Sequence, residues 1–464
     1  MATLNKHTVK DLQAKAAGLV CLPGTPGYDE SVALWNGAIH RRPAAVVQCT
    51  SAEDVAAVLR YAQEASLEIS VRGGGHGFSG SALTDGGITI DLSKLREVSV
   101  LPLDKRATVG GGATWAELDA AVQEYGLAVP GGFISHTGIG GLTLGGGLGW
   151  LSRKAGLSCD NLLEAQVVTA DGRILTASAS QNADLFWAIR GGGGNFGVVT
   201  SFTFALTAVG PMVDLGMFFV GLEHGADLLR FARDITRDLP DDVGAFVAGL
   251  NAPPEDFVPP DVQLQPGYAI VLVGLTDKVD HVALAARARE ALPCLFELVT
   301  PIPFVALQQM FNASAPWGIQ AYEKAVHLDE LTDAAIDVIT RHVPLKSSSM
   351  SFMPVFCLGG AYGRVEEDAT AFGGSRSTRF VVNIAAIAPT PELLETDTAW
   401  ARAFWADLVP HASGIGGYVN FMAEYDDDRV RAAYGAKYDR LAAIKATFDP
   451  DNVFHLNANI RPTA

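Results

Sequence analysis

The sequence predicts an α+β protein of two domains, on three observations. Residues 44–207 alternate short apolar runs of strand character with glycine clusters and two capped helical segments. From about Val209 the glycine clusters thin out and longer periodic segments broken by proline take over, which marks a second domain over residues 208–410. The C-terminal segment, 411–464, returns to motif-dense sequence and is expected to fold back and complete the domain formed by residues 1–207.

The elements follow in order. Thr50-Ser51-Ala52-Glu53 reads as a capping box opening a helix with Val55, Val58, Leu59 and Ala62 on one face. Leu67-Glu68-Ile69-Ser70-Val71 is a strand that runs into a glycine loop, residues 71–80. Gly87–Leu92 and Ala107–Gly110 are further strands, and Thr114-Trp115-Ala116-Glu117 caps a second helix reaching about Tyr125. The stretch 130–150 holds nine glycines in 21 positions, far above the average usage of about 7%. Flexible linkers are polar, whereas Phe133, Ile134, Ile139, Leu142, Leu144, Leu148 and Trp150 are interleaved here, so a buried loop packed against a planar ligand is expected. Glu164–Ala170 and Arg173–Ala177 form a hairpin across Asp171-Gly172. In the second domain Gly267–Leu275 is a buried strand and Val282–Leu292 a helix. Ser351–Leu358 is a strand with Phe352, Pro354 and Phe356 on one face and Met353, Val355 and Cys357 on the other. The tail carries Gly416-Gly417-Tyr418-Val419-Asn420-Phe421, a helix near Asp428–Thr447, and Phe448-Asp449-Pro450-Asp451-Asn452 before Asn457-Ala458-Asn459-Ile460.

Composition narrows the function. A net charge of −17 and a pI near 5.0 repel nucleic acid and anionic membranes, so a small-molecule substrate is expected. Five cysteines, widely spaced and without a Cys-x-x-Cys pair, argue against a disulfide framework or a zinc site and for buried thiols in a reducing compartment. The segment Met1 to Val20 scatters Lys6, Lys10, Asp11 and Lys15 where a secretory signal needs an apolar core, and no window reaches the ~18 apolar residues of a membrane helix. The expected location is cytoplasmic.

Two stretches satisfy G-x-G-x-x-G, at Gly75–Gly80 and Gly192–Gly197. Neither opens a helix, and the second runs into the strand-like Val198-Val199-Thr200-Ser201-Phe202, so the nicotinamide-dinucleotide fingerprint is rejected. The loop after Val71 suits another use. Glycine amides approach a phosphate closely, and the one imidazole among them, His76, can bond to the cofactor they hold.

Taken together, Arg72-Gly73-Gly74-Gly75-His76, the Gly132–Gly149 cluster, Asp160-Asn161-Leu162, the run from Asp184 to Val199, Tyr418-Val419-Asn420 and Asn457-Ala458-Asn459-Ile460 resemble, in order and over nearly the whole chain, the vanillyl-alcohol oxidase/p-cresol methylhydroxylase superfamily of FAD enzymes, in its berberine bridge enzyme-like branch. The resemblance implies FAD held by the first domain and the tail beneath a substrate domain with an antiparallel sheet. It implies an 8α-link from the flavin to His76, whose alkylated ring raises the flavin potential. Arg72 and the amides of Gly73, Gly74, Gly75, His76 and Gly77 would hold the pyrophosphate. Gly80, Pro130, Gly131, Gly132, His136, Thr137, Gly138, Gly140, Gly141, Gly145, Gly149, Gly197, Val198, Val199, Tyr418, Asn457 and Asn459 complete the expected cofactor site. Relatives often carry a second, cysteinyl link; that position is Ile134 here, so a single attachment is expected. Thr137 matches a position governing oxygen access, and its small side chain favours an oxidase, with O2 as acceptor. The tyrosine base of plant relatives is replaced by Phe421, which leaves Tyr418 and Asn420 as catalytic candidates beside Thr137.

Trp317, Tyr322, Lys324, Phe352, Phe356 and Asn383 are expected pocket lining, and Ser347–Gly359 offers no acid to serve as base. The implied activity is removal of hydride from a small, hydrophobic alcohol, amine or phenol, with peroxide as the second product. A dehydrogenase, a flavin-dependent oxygenase or oxidative cyclase, and a non-catalytic flavin- or ligand-binding protein are the alternatives; substrate and oligomeric state stay open.

Overall fold

The computed structural model describes residues 6–414 and 417–463; Gly416 of the tail motif and the first residues of the N-terminal segment lie outside the described residues. The fold class is α+β, as expected, with three main sheets and helices that bury several hydrophobic cores.

The first sheet orders its strands Leu19–Cys21, Ala45–Gln48, Ile88–Asp91 and Ile69–Arg72, with the last three parallel. Parallel neighbours need a crossover. The helix Ala52–Glu64 carries the chain from Ala45–Gln48 to Ile69–Arg72, on the two sides of Ile88–Asp91, burying Val55, Val58, Leu59 and Ala62 as the spacing predicts. Its cap differs by one residue from the expected Thr50/Glu53 box. Ser51 Oγ accepts from the Asp54 amide at 3.1 Å, and Asp54 returns the bond to the Thr50 amide at 3.0 Å. Asp54 wins because its carboxylate also takes the amides of Ala17 and Gly18, which Glu53 on the solvent face does not reach. The second box forms as expected: the Thr114 amide and hydroxyl both donate to Glu117 Oε2, at 2.8 and 2.9 Å, over Trp115–Gln123.

A five-stranded antiparallel sheet follows, in the order Val98–Leu101, Arg106–Gly110, Val198–Ala205, Leu162–Val168, Ile174–Ser178. The predicted hairpin turns at Gly172, whose φ of +77° only glycine adopts without strain. The glycine cluster corrects the loop expectation, since Ile139–Gly145 is a two-turn helix, with loop on either side. Turning Ile139, Thr143 and Leu144 into the core stabilises a helix despite two internal glycines and a third at its end.

The third sheet is entirely antiparallel, seven strands ordered Phe296–Pro303, Met212–Gly221, Pro266–Gly274, Val243–Asn251, Met353–Cys357, Phe380–Ala388, Gln320–Leu328. Both faces are covered. Val247, Val326, Met353, Val355 and Val382 pack against the helices Gly225–Asp238, Asp333–His342 and Pro391–Leu408, while Phe246, Ala325, Phe356 and Val381 face Leu148, Trp150 and Tyr418 of the glycine-rich side. The tail helix expected as one piece near Asp428–Thr447 is two, Asp427–Tyr434 and Tyr438–Phe448. Gly435, at φ +52°, breaks it. No helix of the described residues is long and apolar enough to cross a membrane, no group among them could hold a metal ion, and all five cysteines are free, four of them buried.

Candidate active site

A cavity of about 400 Å³ lies between the glycine-rich loops and the inner face of the seven-stranded sheet. One wall is backbone. The strand Ile69–Arg72 delivers the loop Gly73–Gly77 to its edge, and none of the amides of Gly73, Gly74, Gly75, His76 and Gly77 donates to another described residue. Consecutive open amides are an anion cradle. Gly74 and Gly138 press together here, and a Cβ on either would lie 2.3 Å from the other's nitrogen. Thr137, Gly138, Gly140, Gly141 and Gly145 continue the wall, and Gly197, Val198, Val199 and Asn457 close it. Asn457 Oδ1 is buried without a partner. Gly132 lies at the rim.

His76 sits in the cavity between Trp35, stacked at 5.3 Å and 16°, and the edge of Trp317 at 5.5 Å. Its Nε2 is 2.8 Å from His136 Nδ1. Burial, and second the neighbouring His136, push the His76 imidazolium down to about 3, so the ring is neutral at physiological pH. Among the described residues its Nδ1 has no hydrogen-bond partner.

Several expected contacts lie behind the wall. Arg72 lies outside the lining: its guanidinium donates to Asp91 at 3.4 Å and to the Ala33 carbonyl at 3.1 Å, which hold it away from the cavity. Arg72 therefore braces the loop from outside. Gly80 turns at φ +69° against Ile39, Gly131 packs on the Trp115 ring with Gly149 against its carbonyl, and Pro130 accepts from Ser158 Oγ at 2.6 Å. His136 meets His76 from outside the lining, and Asn459 is half-buried outside it, with its Oδ1 buried.

Tyr418 and Asn420 reach the cavity from the tail. The Tyr418 hydroxyl accepts from the Gly147 amide at 2.7 Å and from Asn420 Nδ2 at 2.9 Å, and burial pushes its pKa upward. Asn420 Nδ2 also donates to the Leu142 carbonyl at 3.0 Å. Both clamp the tail to the glycine helix.

The opposite wall is aromatic: Phe133, Phe246, Phe311, Phe352, Phe356 and Phe421. Of the second-domain candidates, Phe352, Phe356 and Asn383 line it. Tyr322 and Lys324 do not: Tyr322 packs with Arg402 and Lys324 lies over the Trp405 ring at 5.0 Å, on the helix-covered face. Trp317 is 46% exposed, outside the lining, and its ring meets those of His76 and His136. The parity of the strand places the intervening Glu323 in the cavity. Strand alternation was the signal that could have found it, had the register been known. Trp35 was missed as well, for it lies 41 positions from His76 with no local pattern.

Comparison with known proteins agrees. Residues 43–178 match the family described as FAD binding domain, and residues 417–461 that described as Berberine and berberine like. (R)-6-hydroxynicotine oxidase of Paenarthrobacter nicotinovorans is 31% identical, over 96% of this chain and 97% of its own length. An FAD-linked oxidoreductase of Dictyostelium discoideum is 29% identical over 96% of this chain and 95% of its own. The solved structure of BBE-like 1 from Physcomitrella patens has the same fold, with a TM-score of 0.88 at 24% identity, over 98% of this chain and 99% of that one. FAD fits the residues present: open amides for its pyrophosphate, a glycine wall for its flat ring, and an orphaned carboxamide at Asn457 for its polar edge. With identity sustained across nearly the full length of an oxidase, and the open amides falling inside the segment that matches the FAD binding domain, the chain belongs to the berberine bridge enzyme-like family of FAD-linked oxidoreductases.

Proposed function

We propose that this enzyme is an oxidase of a small hydrophobic alcohol, amine or phenol, that it carries its FAD on His76, and that it returns the electrons to O2 as hydrogen peroxide. Bound FAD supplies a two-electron acceptor for substrate hydride and a partner for oxygen. The observation that carries the reading is the cavity itself, with open backbone amides and a neutral histidine on one side and a wall of phenylalanines on the other.

The chain's residues divide the work. Residues 1–207 with 411–464 hold the cofactor, and residues 208–410 cover it. The amides of Gly73 to Gly77 bind the pyrophosphate. His76 is held neutral by burial and oriented by His136 through Nε2, which leaves Nδ1, without a partner among the described residues, as the nucleophilic atom for a single covalent attachment. Ile134 offers no thiol for a second. Thr137 leaves room for oxygen where a larger residue would fill it. Tyr418 and Asn420 act by position, fixing the Leu142–Gly147 backbone, and the protonated phenol of Tyr418 is no base at neutral pH. The phenylalanine wall excludes water and selects an apolar substrate. Free, mostly buried cysteines suit a cytoplasmic setting.

The test is direct. Purified protein should be yellow, and the colour should stay with the acid-precipitated pellet. In His76→Ala it should pass to the supernatant. Alcohols, amines and phenols are then screened for anaerobic bleaching, with reoxidation in air and peroxide release measured on each hit. Slow reoxidation means a dehydrogenase, and oxygen from O2 in the product means an oxygenase. A colourless protein whose mass gains no adenine dinucleotide after reconstitution overturns the reading.

A further inference from the structure

The aromatic half of the cavity contains one polar pair, and nothing in the cofactor reading uses it. Strands Gln320–Leu328 and Phe380–Ala388 pair in a register that sets Glu323 opposite Ala385 and Asn383 opposite Ala325, so the two side chains are diagonal neighbours on the inner face. Asn383 Nδ2 donates to Glu323 Oε2 at 2.9 Å. Both are buried, at 6% and 3% exposure, and both line the cavity.

The pair is incomplete by itself. Asn383 Oδ1 is buried with no partner, and the second oxygen of Glu323 accepts no hydrogen bond among the described residues. An unpaired buried acceptor is unfavourable by about 1–3 kcal/mol, so such a group points to a ligand that supplies the donor. Among the described residues no cation pairs with the carboxyl. Lys324 and Tyr322 on its own strand face the opposite side, toward Glu424, Arg402 and Trp405. The partner strand and the adjacent Met353–Cys357 turn no charged side chain inward, and the other titratable groups lining the cavity, His76, Tyr418, Tyr425 and Tyr434, are bonded to neither member.

We propose that Glu323 and Asn383 are the polar anchor of the substrate pocket, that they take the N–H or O–H of an otherwise apolar amine or alcohol, and that Glu323 accepts the proton of that group. The proposal rests on the reading of the cavity as the flavin and substrate site. In the oxidation the substrate's C–H and N–H or O–H bonds break and a C=N or C=O bond forms. The carbon-bound hydrogen leaves with both electrons to FAD, and the other leaves as a proton to the Glu323 carboxylate. Asn383 is the positioning residue, fixing one carboxylate oxygen so that the other faces the substrate. Burial pushes the Glu323 carboxyl up to about 8, so the carboxylate able to accept a proton, or to pair with an ammonium, forms as pH rises through that value.

Three probes of one shape test this on the holoprotein by calorimetric titration: benzylamine, benzyl alcohol and toluene. At least one polar probe should bind wild type more tightly than toluene. Glu323→Gln should weaken that probe at least about tenfold, the loss expected of a buried hydrogen bond to a charged group, and leave toluene unchanged. Benzylammonium should bind more tightly as pH rises from about 6 to 8.5 in wild type and not in Glu323→Gln. Asn383→Leu, similar in volume, should weaken the same probe, and melting curves of both variants establish that they are folded. Which polar probe responds separates an amine from an alcohol. Equal binding of the polar probes to wild type and to folded Glu323→Gln, or neither polar probe exceeding toluene, overturns the proposal. Flavin content is read separately: a yellow protein with equal binding rejects this anchor alone, and a colourless one rejects the flavin reading.

Discussion

At the scale of single residues, the site depends on atoms that are missing as much as on atoms present. Gly74 and Gly138 meet backbone to backbone, so a methyl at Gly74 must push the two loops apart. Gly74→Ala should therefore lower stability by about 1–3 kcal/mol and reduce bound flavin, read from thermal melts and from absorbance at equal protein concentration. Thr137 lines the cavity beside this contact. Thr137→Leu should slow reoxidation of the reduced enzyme in air severalfold while leaving anaerobic reduction by the same substrate near wild type; equal slowing of both half-reactions would count against a role in oxygen access. His76 and the glycines were legible in the sequence because a histidine amid glycines after an apolar strand has few other uses. Arg72 and Glu323 were not. Arg72 is held away by Asp91 and the Ala33 carbonyl, and whether Glu323 faces the cavity depends on strand parity, which is set by register against neighbours far along the chain.

Among elements, two buried carboxylates hold contacts between segments that the sequence shows only as separate, one directly and one through a lysine. Asp119, on Trp115–Gln123, is fully buried against Phe304–Gln309, where Gln308 Nε2 donates to it at 3.0 Å. Burial raises its carboxyl to about 7. The folded protein thus keeps a proton that the unfolded chain gives up near 4, so this group makes stability fall as pH rises from about 4 to 7 and contributes no further change above that. Asp119→Asn should remove this component, and its melting temperature at pH 8 should equal or exceed wild type. A variant that melts lower at pH 8 by as much as at pH 4 would contradict the assignment. In the tail helix Tyr438–Phe448, Lys445 Nζ lies 2.5 Å from Asp449 Oδ2, both at 0% side-chain exposure, and the ammonium also donates to the carbonyls of Asn195 and Phe454. Asp449→Ala strands that ammonium and should destabilise by about 3–5 kcal/mol in denaturant titration, more than a surface pair would. The sequence marks Phe448-Asp449-Pro450-Asp451-Asn452 as part of a motif-dense tail, but not that Asp449 holds the Lys445 that fastens the tail to Asn195.

Across the whole molecule, a buried ion pair joins the glycine-rich side to the second domain. Arg376, between the strands of the seven-stranded sheet, grips Asp160 of the glycine-rich side through two bonds of 2.8 Å, with side chains only 4% and 7% exposed. Removing the guanidinium leaves a buried carboxylate, so Arg376→Ala should lower stability by about 3–5 kcal/mol and loosen the flavin, seen as an earlier melt and faster loss of flavin from a His76→Ala background. Arg376→Lys should recover only part of this, since a point charge replaces a planar fork. The sequence by itself determined the α+β class, most strands and caps, the two-faced strand at Ser351–Leu358, and the glycine-rich loops, because each is written in local spacing: period two, period 3.6, capping boxes, and glycines where a Cβ would strike backbone. Only the tertiary structure decided which wall each side chain joins, that Glu323 meets Asn383, and that Arg376 meets Asp160. Those are contacts between residues 60 and 216 positions apart, fixed by sheet register and domain packing, which no local pattern encodes.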